Sequence, residues 1–196
     1  DDETVCRQQF DELDFATTRH INAYKAYDVY RTNKWHYHKS FIEPGNELKI
    51  YLPETKEMGV IHYTKAGTHQ ASYIVKDAYE NISTLNFPFE VLDKPNGALP
   101  ETKPYDAYFN YDQENTFTYP EEFEVTIPKG ALYKDLKLNF GREMQKEDHL
   151  SASYTLHNDM VPLDDYIQIA IRAVDVPEQI RDKVLAAQYS TAGGAS

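Results

Sequence analysis

The residues best suited to chemistry in this chain are His36-Tyr37-His38. Two histidines two positions apart on a strand project to the same face, and zinc enzymes use such pairs as ligands. A catalytic zinc also needs a third protein ligand and a base. Asp28 and Glu43 are near in sequence, but no spacing singles either out. An aromatic strand with half-exposed imidazoles is the simpler reading, so no metal ligand and no catalytic residue is assigned. Trp35, His36, Tyr37 and His38 are retained as candidate binding residues. With Tyr24, Tyr27 and Tyr30 they form an aromatic stretch dense enough to stack against a sugar, although aromatics at such density commonly serve packing.

The remaining histidines give less. His62 and His69 flank the Lys65-Ala66-Gly67 turn and read as a surface pair; His157-Asn158-Asp159 reads as a turn before Pro162; His20 and His149 have no evident partner. No G-x-S-x-G elbow, G-x-G-x-x-G loop or G-x-x-x-x-G-K-[ST] phosphate loop occurs. The paired acids Glu121-Glu122 and Asp164-Asp165 read as solvated turns. Asn81-Ile82-Ser83 has the form of a glycosylation acceptor, which matters in a secreted eukaryotic protein. The single cysteine, Cys6, permits no internal disulfide.

Charge narrows the partners. The chain of 196 residues carries a formal charge of −12, from 32 acidic and 20 basic side chains. That balance argues against nucleic acid and against an anionic membrane surface, both of which require a basic footprint. Its apolar runs are too short to span a bilayer.

The elements that would position these residues are strands. Sixteen tyrosines and nine phenylalanines, with many Thr, Val and Ile, favour β structure. From Gln70 to Val91 the pattern is strand, turn, strand, with Asp77 and Asn81 building the turn. Further strands are expected at Thr4–Phe10, Trp35–Ile42, Leu48–Leu52, Gly59–Tyr63, Tyr105–Tyr111, Asn115–Tyr119, Phe123–Ile127, Leu136–Phe140, Ala152–His157, Tyr166–Val174 and Lys183–Tyr189. Ile21, Tyr24, Tyr27 and Tyr30 recur at helical spacing, which points to a short helix within 17–34. Pro44-Gly45-Asn46 predicts a type II turn with Gly45 at positive φ, and Gly130 marks another turn. Short strands punctuated by Pro, Gly and Asn indicate an all-β chain of two consecutive immunoglobulin-like β-sandwich modules. The expected division is 1–92, a linker at 93–104, and 105–196. Asp1–Val5 reads as the middle of a hairpin and Ser190–Ser196 as a loop before a further strand, so the first module is expected to lack early strands and the second to be truncated.

Several segments occur in an order that resembles one family. They are Phe15-Ala16-Thr17-Thr18-Arg19-His20-Ile21-Asn22, Phe41-Ile42-Glu43-Pro44-Gly45-Asn46-Glu47-Leu48, Lys76-Asp77-Ala78-Tyr79-Glu80-Asn81-Ile82-Ser83 and Ile127-Pro128-Lys129-Gly130-Ala131-Leu132-Tyr133. This is similar to the region that follows the catalytic domain in bacterial envelope zinc metallopeptidases of the lysostaphin/LytM type, with its "F-x-x-x-R-x-I-N", "PGN-x-L", "D-A-x-G-N-x-S" and "IP-x-GALY" elements. Two departures stand out. Glu80 replaces the usual glycine of the hairpin, so Asn81 is expected to take the left-handed conformation. The family's H-x-x-x-D and H-x-H zinc motifs are also missing, since Lys39-Ser40 follow His36-Tyr37-His38 where Phe-Glu is usual.

The resemblance implies a non-catalytic accessory segment of a peptidoglycan-cleaving enzyme in the bacterial periplasm or outer surface. It implies zinc in a catalytic domain outside this chain and no cofactor within it. Its partners would be that catalytic domain or another envelope protein, with cell-wall glycan or peptide as a further ligand. The alternatives are an adhesin-like glycan- or protein-binding module, and a structural subunit of an envelope assembly.

Overall fold

Phe123, Val125 and Ile127 alternate with polar residues, so one face of the strand they form is apolar throughout. In the computed structural model, which describes residues 3–94 and 103–188, this strand is the centre of a three-stranded sheet and all three side chains are buried. The chain is all-β. Nine strands form four antiparallel sheets among the described residues: β1 (Gly67–Lys76) with β2 (Ile82–Val91), β3 (Ala107–Phe109) with β6 (Leu136–Leu138), β4 (Asn115–Tyr119) with β5 (Phe123–Ile127) and β9 (Gln168–Ile171), and β7 (Phe140–Glu143) with β8 (Ser153–Leu156). Phe109, Phe123, Val125, Ile127, Ala131, Leu132 and Leu138 form the main core. Phe117, Phe140 and Tyr154 pack against it, with ring centroids 5.0–5.9 Å apart.

The helical spacing near the N-terminus produces three short pieces: a 3-10 helix at Phe15–His20, α1 (Ile21–Tyr24) and α2 (Tyr27–Asn33). Asp14 caps the first by accepting a hydrogen bond from the Ala16 N–H at 3.0 Å. Lys34 ends α2 in the left-handed conformation, φ 62°. Tyr24 is buried with Leu48 and Ile50 in a second, smaller cluster.

Four expected strands are not regular ladders. Thr4–Phe10 runs beside 50–56, but the Arg7 N–H bonds to the Thr55 hydroxyl at 3.0 Å, and one isolated bridge, Gln8 to Tyr51, forms. Trp35–Ile42 makes one bridge, Lys25 to His38, because it lies along the junction of the two short helices rather than beside a strand. Leu48–Leu52 buries its alternating residues from within a turn, and Gly59–Tyr63 follows a 3-10 turn at Glu57–Gly59. At the C-terminal side a 3-10 helix forms at Glu178–Lys183, and of the strand expected at Lys183–Tyr189 the described residues 184–188 form none. The readings at Asp1–Asp2, most of the 93–104 linker and Ser190–Ser196 lie outside the described residues.

The chain divides into two compact units: Asp1–Gly59 together with Pro104–Ser196, and Val60–Lys103. This differs from a division at 93–104, because residues 15–47 bond directly to residues 131–164. The Val60–Lys103 unit is the β1–β2 hairpin and its approach. Its turn is closed by Asp77, whose Oδ1 accepts from the N–H groups of Tyr79 (2.8 Å) and Asn81 (2.9 Å). The left-handed residue is Glu80, φ 69°, rather than Asn81. Asn81 is held instead by its side-chain amide, which donates to Asp77 Oδ2 at 2.8 Å, and Lys76 pairs with Glu80.

Candidate functional site

Four sequence segments meet at one seam within the first unit, and polar residues line it. The 3-10 helix at Phe15–His20 delivers Arg19 and His20; the Glu43–Asn46 turn delivers Gly45; the stretches after β5 and before β9 deliver Tyr133 and Asp164. The Tyr133 hydroxyl lies 2.9 Å from the Arg19 carbonyl and 3.0 Å from Asp164 Oδ1, within donating reach of both. Arg19 Nη1 donates to the Asp164 carbonyl at 2.7 Å, and its guanidinium lies 5.5 Å from the Tyr166 ring centroid. His20 is buried and packs edge-on against Tyr133, with ring centroids 5.2 Å apart.

The imidazole of His20 is fully committed. Its Nδ1 accepts from the Glu47 N–H at 3.0 Å, which places the proton of the neutral ring on Nε2, 3.5 Å from Asp164 Oδ1. A histidine so engaged has no lone pair available for proton abstraction. Burial, with Asp164 alongside, raises the Tyr133 phenol well above its ordinary range, so it remains neutral and donates. The chemistry of this arrangement is therefore that of a clasp.

Gly45 shows how tightly the clasp closes. Its N–H donates to the Tyr133 carbonyl at 2.8 Å. A Cβ added there would lie 2.9 Å from both Leu132 O and Tyr133 Cα, closer than real side chains approach. Gly45 does not take positive φ, so the type II turn expected at Pro44-Gly45-Asn46 is not formed. The turn is closed by the Asn46 N–H on Glu43 O at 2.9 Å, and its glycine is required by close approach. Gly130 does take positive φ, 81°, as its turn position predicts. Glu43, buried at the same turn, receives Lys39 Nζ at 2.6 Å and Lys134 Nζ at 3.3 Å on one oxygen.

The sequence candidates Trp35, His36, Tyr37 and His38 are not part of the clasp. Trp35 and Tyr37 are 59% and 54% exposed and meet edge to face at 5.9 Å. His36 packs on Tyr30 at 5.0 Å and His38 stacks on Tyr24 at 4.6 Å. Burial, with His36 and Lys25 nearby, holds His38 below the ordinary histidine range. The two imidazoles are thus engaged by different rings. Among the described residues, no three His, Cys, Asp or Glu side chains group as a metal site. A shallow cleft of about 440 Å³ lies at Ala173, Asp175, Val176, Arg181 and Val184, and brings together one acid and one base.

Sequence reasoning did not connect His20, Tyr133 and Asp164. The available signal was that Arg19-His20, Pro44-Gly45-Asn46 and Leu132-Tyr133 each lie in a separate one of the segments that carry the resemblance.

Residues 106–196 match the Zu5-like domain family, a little under half of the chain. No curated protein and no solved structure matches it. No helix among the described residues is long and apolar enough to cross a membrane.

Proposed function

We propose that this chain is a non-catalytic accessory segment of a bacterial cell-envelope metallopeptidase that cleaves peptidoglycan. It positions or regulates a zinc-bearing catalytic domain located outside the chain, in the periplasm or at the outer surface. The observation that carries this reading is the Gly45–Tyr133 contact. It joins the PGN turn to the GALY element, with Arg19 of the third element bonded to the same tyrosine. Three landmarks that are scattered in the pattern the sequence resembles thereby share one purpose, which is to hold together the segments of the first unit. The Zu5-like match over 106–196 supports a defined module in the C-terminal half of the chain.

The test is direct. The isolated chain retains no zinc after dialysis and releases no peptide from purified peptidoglycan. A polypeptide that carries H-x-x-x-D and H-x-H upstream of it is expected to retain zinc and to release peptide. Stoichiometric zinc held through His36 and His38, or wall-peptide release by the chain alone, would sink the proposal.

A second reading is favoured by the outward display of Trp35 and Tyr37: a surface module that binds glycan or protein. Binding on a glycan array that Trp35→Ala abolishes would select it over the accessory role.

A further inference from the structure

Tyr30, half-buried on α2, stands at the centre of a group of hydrogen-bond donors. The Lys25 ammonium lies 5.1 Å from the centroid of its ring, the Lys34 ammonium 5.4 Å, and the His36 imidazole 5.0 Å. The backbone brings them there. Lys34 is the left-handed residue that ends α2, with its N–H donating to Tyr30 O at 2.9 Å. The Ala26 N–H donates to Tyr37 O at 2.9 Å and Lys25 bridges to His38, which lays the extended segment bearing His36 along the start of α2.

Acceptors are scarce in this group. Residues 25–39 hold four cations, Lys25, Arg31, Lys34 and Lys39, against one carboxylate, Asp28, in a chain whose formal charge is −12. Arg31 is taken by Asp159 and Lys39 by Glu43. Asp28, two positions before Tyr30, projects from another side of the helix. Among the described residues neither Lys25 nor Lys34 pairs with a carboxylate, and Lys34 reaches the Arg31 carbonyl at 3.4 Å. Among the same residues the Tyr30 hydroxyl and the His36 ring nitrogens have no hydrogen-bond partner. His38, held below the ordinary histidine range by burial and then by His36 and Lys25, lies in the same positive surroundings. Donors that converge without an acceptor fit an oxyanion, which lysine binds as a point charge.

Charge and neighbours select the ligand. The chain's −12 repels a densely charged polyanion, whereas a polymer with isolated carboxylates meets these cations at less cost. Trp35 and Tyr37 flank His36 on the same extended segment, and both are exposed. Successive positions of such a segment project to opposite sides and rise by about 3.3 Å. A polymer crossing it therefore meets both the cations and a pair of rings whose apolar faces suit the C–H face of a sugar.

We propose that the Tyr30 group binds the carboxylate of an acidic glycan, with Lys25 and Lys34 supplying the charge and the Tyr30 hydroxyl and His36 further hydrogen bonds. This rests on the glycan-binding reading proposed above and names the class of sugar.

Calorimetry on the whole chain tests it, with oligogalacturonate and with its methyl ester, which keeps the sugars and removes the charge. The acid is expected to bind about tenfold more tightly than the ester or better, by a margin that shrinks as salt is added. Lys25→Gln combined with Lys34→Gln removes the margin. Lys137→Gln, which takes a comparable lysine from the Tyr105 ring at 5.5 Å, does not. Equal affinities for acid and ester overturn the proposal, as do equal losses from the two sets of substitutions, or no binding of either sugar. Oligoglutamate bound as tightly as oligogalacturonate overturns it in favour of an acidic peptide. Ester binding that Trp35→Ala abolishes, with no preference for the acid, leaves the glycan reading standing without this site. Acid binding that the two lysines control and Trp35→Ala does not change keeps the site and removes the Trp35 surface.

Discussion

Val125 and Val75 occupy apolar positions of equally regular strands in one chain, with opposite outcomes. Val125 is fully buried in β5, flanked by β4 and β9. Val75 is two-thirds exposed in a strand with one neighbour. The difference lies in what each unit supplies for itself. The first unit draws its buried core from β3, β5, β6 and Ala131-Leu132, with β4, β7 and β8 packed against it, while the hairpin is a sheet of two strands. Alternation specifies which face is to be buried; it does not specify the covering surface.

Truncation tests this contrast most strongly. Leu138→Ala is expected to lower unfolding stability by about 2–5 kcal/mol in urea titration, whereas Leu85→Ala in the isolated chain should change it by less than about 0.5 kcal/mol. A large loss from Leu85→Ala would mean that the hairpin face is already packed in the free chain. Overfilling the clasp comes next: Gly45→Ala should cost about 1–3 kcal/mol, since its Cβ meets backbone that cannot move aside.

A smaller effect follows from Tyr133. Its phenol titrates well above the ordinary value of 10.0 in the folded chain. The unfolded chain therefore loses this proton first, and the associated stability, complete below pH 10, declines as pH rises further. Tyr133→Phe should shallow that alkaline decline, and near neutrality cost about 1 kcal/mol for the hydroxyl's hydrogen bonding. An unchanged alkaline limb would show that Tyr51, raised chiefly by burial, dominates it. The smallest change is a gain. Glu80→Gly relieves a left-handed side-chain conformation and should stabilise the hairpin by about 1 kcal/mol, read as slower exchange of the Asp77–Asn81 amides.

The strands of the second half were largely legible, because Asn115–Tyr119 and Phe123–Ile127 are each short, alternating and bounded by turn residues. In the N-terminal third the helical spacing of Ile21, Tyr24, Tyr27 and Tyr30 was legible, but the absence of ladders around it was not. The aromatic residues there alternate like strands, yet Tyr24 and His38 stack as a helix residue against a neighbouring extended segment. A period of two cannot distinguish a ladder from a chain pressed against a helix. The clasp was hidden for another reason: Asp164 looks like any acidic turn until its separation from Arg19 in space is known. The position of Glu80 was recognised as the anomaly of its hairpin, while the residue taking the strain was misplaced by one.

The bond between Arg19 and Asp164 spans 145 positions. At about 5–20 residues per second, a ribosome takes roughly 7–30 seconds to travel between the two. For that interval the 3-10 helix and the Glu43–Asn46 turn are already made and have nothing to close on. The hairpin is synthesised entirely within this interval, so the first unit is the last to finish although it was the first to begin.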